Sequence, residues 1–258
     1  AGTRPTRYSW TLISFGQPTF TIPPSATRVA TKNGRADAAG GTGHDYPLRI
    51  PCMATAHDPT RLAAHPAQLS QAFTQQRRAF GAEPYPSLAT RRDRLDRLRR
   101  MLRANDAAIR DAISADFGNR AQQETLLFEQ FTSSDGIGYA RRRLRRWMRT
   151  ERRSVAWWSL PGSARLMRQP LGAVGIIVPW NYPLYLAVSP LTAALAAGNR
   201  VMLKMSEHTP RFGTLFESLI AATFASDEVM AINGDASVAR SFAALPFDHL
   251  LFTGSTNI

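Results

Sequence analysis

A doubly wound parallel α/β sheet standing behind a layer of amino-terminal helices is the fold that this sequence predicts, and three observations predict it. From residue 173 onward, short apolar runs alternate with helix-length stretches, and each run ends in a turn of small or polar residues. Between Leu69 and Arg153 the apolar residues instead recur at three- or four-residue steps among arginines and aspartates, the spacing of amphipathic helices. Four strands separated by three helices specify a parallel sheet covered on both faces.

Residues 1–52 mix Thr, Ser, Pro, Gly and Arg without sustained periodicity, and Asp37 is the first acidic residue, so they read as a disordered leader. An Arg-rich start also suits an organelle transit peptide, but no clean amphipathic helix accompanies it. Leu69, Phe73 and Phe80 trace a first helix that Pro84 and Pro86 separate from the next; Leu88, Leu95, Leu98, Leu102 and Ile109 follow. A third helix is predicted from about Arg120 through Phe128 and Phe131, and a fourth from Ile137 to Met148, with six arginines around Leu144 and Trp147. Ala173 to Val178 is a buried strand halted by Pro179, and Pro183 suits the first position of a helix that Gly198 stops. Arg200 to Leu203 is a second strand with Lys204 at its carboxyl end, and Thr209-Pro210 reads as the N-cap and first position of another helix. Phe212 to Phe224 is helical, Glu228 to Ile232 a strand, Asn233-Gly234-Asp235 a turn, Ala236 to Leu245 helical, and Asp248 to Phe252 a strand.

The 258 residues are enough for a sizeable core. The net charge of +13 would suggest nucleic acid or an anionic membrane, but 17 of the 32 basic residues lie between Ser87 and Arg153. From Pro170 onward four basic residues face six acidic ones, so the strand-helix region is mildly acidic. The arginine run at 141–149 reads as a solvated or intersubunit helix face, since a single Trp147 offers little base stacking; a basic nucleic-acid binder stays as the lesser alternative. No apolar run reaches the roughly 18 residues of a membrane span, as Ser189 and Pro190 interrupt the longest. The single cysteine, Cys52, allows no internal disulfide, and a cytoplasmic protein is expected. The five histidines offer no metal-ligand spacing, so no metal site is expected.

Residues at strand ends carry the functional reading, because open parallel sheets bind ligands at the carboxyl ends of their strands. Pro179-Trp180-Asn181, Lys204-Met-Ser-Glu207 and Phe252-Thr-Gly-Ser255-Thr stand at three such ends, and in this order and spacing they resemble the cofactor-domain motifs of aldehyde dehydrogenases. The surrounding wording is most similar to the bacterial coniferyl aldehyde dehydrogenase branch, and the resemblance runs from about Leu69 to Ile258. It implies three segments: a leader over 1–52, an amino-terminal helical segment over 53–153, and a truncated dinucleotide-binding α/β domain over 154–258. Because the resemblance begins beyond Met53, that residue is the expected natural start. Ser154 to Arg168 resembles the arm that the family uses in oligomer contacts, which implies a homodimer or homotetramer.

The resemblance also implies roles. Asn181 would donate its amide to the oxyanion formed when a cysteine thiolate attacks an aldehyde carbonyl; alone, Asn-Tyr-Pro is an ordinary turn. Lys204 and Glu207 would bond the adenosine ribose hydroxyls, and the Glu207 carboxylate would repel a 2'-phosphate, favouring NAD over a possible NADP. Alone, Lys-x-x-Glu is a surface pair. Gly254-Ser255-Thr256 would begin a pyrophosphate-binding turn, with Thr253 beside it, although Gly-Ser-Thr is usually a helix cap. Val178, Pro179 and Trp180 would line the cofactor, and Gly234 would border the adenine or be a plain turn glycine. The family's nucleophilic cysteine and its Glu-Leu-Gly-Gly glutamate have no counterpart in these 258 residues, since Cys52 lies in the leader where nothing lowers its pKa. The expected protein is therefore the amino-terminal part of an enzyme oxidising aldehydes to acids, inactive alone. A non-catalytic nucleotide-binding protein is the alternative.

Overall fold

The structure is a computed structural model that describes residues 59–254, with side chains from Gln68 onward. The leader reading of residues 1–52, with Cys52, and the role of Ser255 lie outside the described residues. Five helices come first: α1 (Pro59–Ala82), α2 (Leu88–Ala104), α3 (Asp106–Asp116), α4 (Gln122–Thr125) and α5 (Thr132–Trp147). A two-stranded antiparallel ribbon, β1 (Glu151–Arg153) with β2 (Ala164–Leu166), leads into the sheet. There β3 (Ala173–Ile177), α6 (Pro183–Ala197), β4 (Arg200–Lys204), α7 (Pro210–Thr223), β5 (Val229–Ile232), α8 (Ala236–Ala243) and β6 (His249–Phe252) follow in sequence.

The four strands are parallel in the order β5-β4-β3-β6. The chain winds outward from β3 through β4 to β5, then returns to pair β6 with the other edge of β3, which is the doubly wound arrangement expected. Alternation along the strands sorts the core into two layers. Val174, Ile176, Val201, Leu203, Val229 and Ala231 pack with helices α2, α3, α5, α6 and α7, whereas Ala173, Met202 and Ile232 pack with α1 and α8 through Leu69, Phe73, Val238 and Phe242.

The helical layer departs from its sequence reading in three places. The apolar spacing across Leu102 and Ile109 does not belong to one helix: α2 ends at Asn105, whose amide Nδ2 donates to the Met101 carbonyl, and α3 starts anew. The third and fourth predicted helices are instead one continuous rod from α4 to α5, joined by a π-helical turn over Leu126–Phe131. That turn places Glu129 and Gln130 inward while Leu127, Phe128 and Phe131 face out. Arg120 is not helical. Gly118 and Asn119 take left-handed φ values of 65° and 90°, reversing the chain so that Arg120 points back toward the sheet before α4 begins. Helix α6 runs unbroken through Ser189 and Pro190.

Candidate functional site at the carboxyl edge of the sheet

Register brings the three predicted motifs level. Ile232, Lys204, Ile177 and Phe252 stand in one row across the four strands, so the segments that follow them leave the sheet side by side. The turn Pro179–Asn181 follows β3, the loop to Glu207 follows β4, Gly234 follows β5, and Thr253-Gly254 follows β6. Between β3 and β6 the winding direction reverses, and sheets of this kind bind ligands at that crevice.

Each residue takes its place for a local reason. Val178 extends β3, its N–H donating to the Lys204 carbonyl at 2.9 Å, and its side chain lies in the core, so only its backbone can face a ligand. Pro179 is half-buried, while Trp180 and Asn181 are exposed, with Trp180 beside the Phe117 ring at 6.1 Å between centroids. The Asn181 side chain has no hydrogen-bond partner among the described residues. Its backbone carbonyl, in contrast, accepts from Arg120 Nη1 at 2.9 Å.

Lys204 is more enclosed than a surface pair would be: it is 1% exposed, and burial pulls its ammonium below the ordinary lysine range against the opposing charges of Glu207 and Asp235. Its Nζ donates to the Met205 carbonyl at 2.7 Å and lies 3.6 Å from the exposed Glu207 carboxylate. An ammonium has three donor hydrogens, so this one keeps donors for a further acceptor. Gly234 has φ 146°, and a Cβ there would meet Val238 at 2.6 Å; packing on α8 alone thus requires glycine. Thr253 and Gly254 are exposed, and Ser255 lies outside the described residues.

Residues that the sequence reading did not single out hold these loops in place. The Glu129 side chain, 0% exposed, accepts from the backbone N–H of Leu184 and Tyr185 at 2.8 and 3.2 Å, capping α6 from the π-helical turn. Burial pushes its carboxyl up, against the pull of those two N–H groups and of Arg120. Thr209 is not the side-chain cap of α7. Asp116 accepts from Arg211 and Phe212 N–H at 3.1 and 2.9 Å instead, and burial raises its carboxyl as well. At the other end of α6, Arg91 Nη1 donates to the Ala196 and Ala197 carbonyls at 3.2 and 2.6 Å. Part of the basic charge between Ser87 and Arg153 is therefore spent inside the fold. The visible sequence signal for Arg120 was the Gly118-Asn119 pair before it; Glu129 and Asp116 had none.

The arrangement offers an exposed amide at the end of β3, a buried ammonium paired with an exposed carboxylate at the end of β4, and glycines after β5 and β6. No group of three or more His, Cys, Asp or Glu that could hold a metal occurs among the described residues. Likewise, no helix among them is long and apolar enough to cross a membrane.

Comparison with known proteins agrees with this geometry. Residues 54–258 match the aldehyde dehydrogenase family. The chain is 49% identical over 191 residues to a probable coniferyl aldehyde dehydrogenase of Pseudomonas aeruginosa, covering 74% of this chain and 40% of the relative. It is 44% identical over 192 residues to the coniferyl aldehyde dehydrogenase of Pseudomonas sp., covering 74% and 39%. Among solved structures, the substrate-bound state of Staphylococcus aureus AldH superposes with a TM-score of 0.71 at 29% identity, over 73% of this chain and 41% of that one. The chain thus spans about 40% of the length of the curated relatives it matches.

Proposed function

The chain belongs to the aldehyde dehydrogenase family, and on that premise we propose that it supplies the cofactor-binding region and the oxyanion donor of an enzyme that oxidises an aldehyde to its acid with NAD, or less readily NADP. One observation carries the reading: the strand register sets Ile177, Lys204 and Phe252 in one row where the winding reverses, so the segments that carry Asn181, Glu207 and Thr253-Gly254 leave neighbouring strand ends. The similarity to the two coniferyl aldehyde dehydrogenases supports an aromatic aldehyde as substrate. A homodimeric or homotetrameric assembly and a cytoplasmic location go with this reading.

The residues fit a dinucleotide. Lys204 and Glu207 would hold the adenosine ribose, one donating to and one accepting from its hydroxyls; Gly234 would border the adenine. Val178, Pro179 and Trp180 would line the cofactor, with Thr253, Gly254 and Ser255 at its pyrophosphate. When bound, the nicotinamide supplies a hydride acceptor. Asn181 acts on the aldehyde oxygen: as a thiolate adds to the carbonyl carbon, the amide N–H donates to the oxygen that gains charge. Being neutral, it does so without competing for the nucleophile's proton, and such a donor is worth about a hundred- to a thousand-fold in rate. The reaction also needs a thiolate and a glutamate that activates water for thioester hydrolysis; the family motifs for both have no counterpart in these 258 residues, so the chain alone is expected to form no NADH from aldehydes.

The test is the kcat/KM ratio for NADP over NAD in the full-length enzyme, with the aldehyde fixed and saturating. Glu207→Gln should raise that ratio about ten-fold, because a neutral amide can donate to the 2'-phosphate that a carboxylate repels. Lys204→Ala should weaken both cofactors, NADP the more. An unchanged ratio in Glu207→Gln beside a shifted one in Lys204→Ala would mean that Glu207 does not face the ribose.

A further inference from the structure

We propose that Arg120 is a positioning residue for Asn181, fixing the backbone of the turn from which the amide projects; the inference rests on the reading of Asn181 as the oxyanion donor. Arg120 is no solvated surface arginine, because only 6% of its side chain is exposed. Its guanidinium stacks on the Tyr182 and Phe117 rings, 4.5 and 4.9 Å from their centroids. Nη1 donates to the Asn181 carbonyl at 2.9 Å and lies 3.5 Å from Glu129, while Nη2 donates to Glu124 at 2.9 Å. Two carboxylates therefore balance its charge, and Tyr182 Oη lies 3.4 Å from the same Glu124 oxygen.

The turn is gripped on both sides of Asn181. Before it, Val178 N–H is tied to the β4 backbone; after it, Glu129 holds the first N–H groups of α6. Between those anchors stand Pro179, Trp180, Asn181, Tyr182 and Pro183, and among the described residues the Asn181 carbonyl is held by the hydrogen bond from Arg120. With no side-chain partner of its own, the amide takes its direction from that peptide. An oxyanion donor must be held to within about 0.5 Å, and a misplacement of about 1 Å can cost on the order of a hundred-fold in rate. Arginine suits the task because a planar fork can lie flat on two rings while bonding a carbonyl and a carboxylate at its edge, which an ammonium cannot.

The experiment compares kcat, KM for both substrates and thermal midpoints of the full-length enzyme with those of Asn181→Ala, Arg120→Met, Arg120→Lys and the Asn181→Ala combinations. Arg120→Met should lower kcat about 10- to 100-fold with KM for NAD unchanged. In the Asn181→Ala background the same change should lower kcat no further, because the two residues act through one donor. Arg120→Lys, which keeps a charge in the buried site, should recover part of kcat and carries the same cycle where the methionine variant does not fold. Reductions that multiply in the double variants overturn the inference, as does a wild-type kcat accompanied only by a lower thermal midpoint. Wild-type kcat in Asn181→Ala alone removes the oxyanion reading and this inference with it, an outcome visible without any change at Arg120.

Discussion

The turn after β3 and the loop after β4 leave adjacent strands at the same level, yet they are held in opposite ways. The first depends on residues some 50 to 60 positions upstream: Arg120 grips its carbonyl and Glu129 caps the helix that follows. The second holds itself: Lys204 bonds the next carbonyl, Ser206 Oγ accepts from His208 N–H at 3.2 Å, and Glu207 answers the ammonium. The difference teaches that the helical layer is more than a cover for the sheet. Its charges supply the ends of the sheet helices, so the carboxyl edge of the sheet is a product of both parts of the chain.

Breaking the distant grip should have the largest effect. Glu129→Ala removes one partner of a buried charged cluster and leaves two helix N–H groups without their acceptor, which should cost about 3–5 kcal/mol in denaturant unfolding. A companion measurement uses pH. Because burial raises the folded carboxyl, its contribution is complete below the unfolded pKa of about 4.3 and declines as pH rises through the higher folded value. The advantage of the wild type over Glu129→Gln should therefore shrink from pH 4.5 to pH 7.5; an advantage that grows would show the carboxylate to be net stabilised in the fold.

Asp116→Ala tests the same principle at α7, where the cap is partly exposed and the expected loss is about 1–2 kcal/mol. The third test is the local counterpart. Asp235 caps its own helix, accepting from Ser237 and Val238 N–H at 2.8 and 3.2 Å, and Asp235→Ala should cost about 1 kcal/mol. A loss at Asp235 exceeding that at Glu129 would erase the contrast between distant and local support.

The smallest stability effect is expected at Lys204. Its ammonium is desolvated at some cost, and a methionine fills similar space, so Lys204→Met should change the unfolding free energy by less than about 1 kcal/mol while cofactor binding falls about ten-fold. A protein that unfolds readily on this change would mark Lys204 as structural and not as a ribose ligand.

What could be read from the sequence follows the same division. The β3-α6-β4 unit, the row of strand ends and the family motifs were legible, because each is written in consecutive residues: an apolar run, a Pro or Gly at its boundary, a polar residue just beyond. Lys204 was legible as a strand-end cation but not as a buried one, since burial depends on Met205 and on helices packed from elsewhere. Arg120 looked like the start of a helix: the Gly118-Asn119 pair marks a turn before it, but no neighbour in sequence shows that its guanidinium will stack on Tyr182. Thr209 and Pro210 do stand at the N-cap and first position of α7, but the Thr209 hydroxyl makes no cap bond, and Asp116 supplies it from 95 residues away. The join at Leu126–Phe131 was missed because a π-helical turn shifts the apolar period by one residue, which on the page resembles a break between two helices.

The return of the last strand to the first has a consequence for synthesis. β3 pairs with β4 soon after both are made, but its other edge waits for β6; the Ala173 N–H finds its partner on Asp248, 75 residues later. At roughly 5–20 residues per second, that edge stays open on the ribosome for about 4–15 seconds. During that interval the strand carrying the Asn181 turn presents unpaired backbone beside Val174 and Ile176, the kind of edge onto which a second nascent chain can add. The time for which that edge of β3 stays open is thus set by the order of the strands.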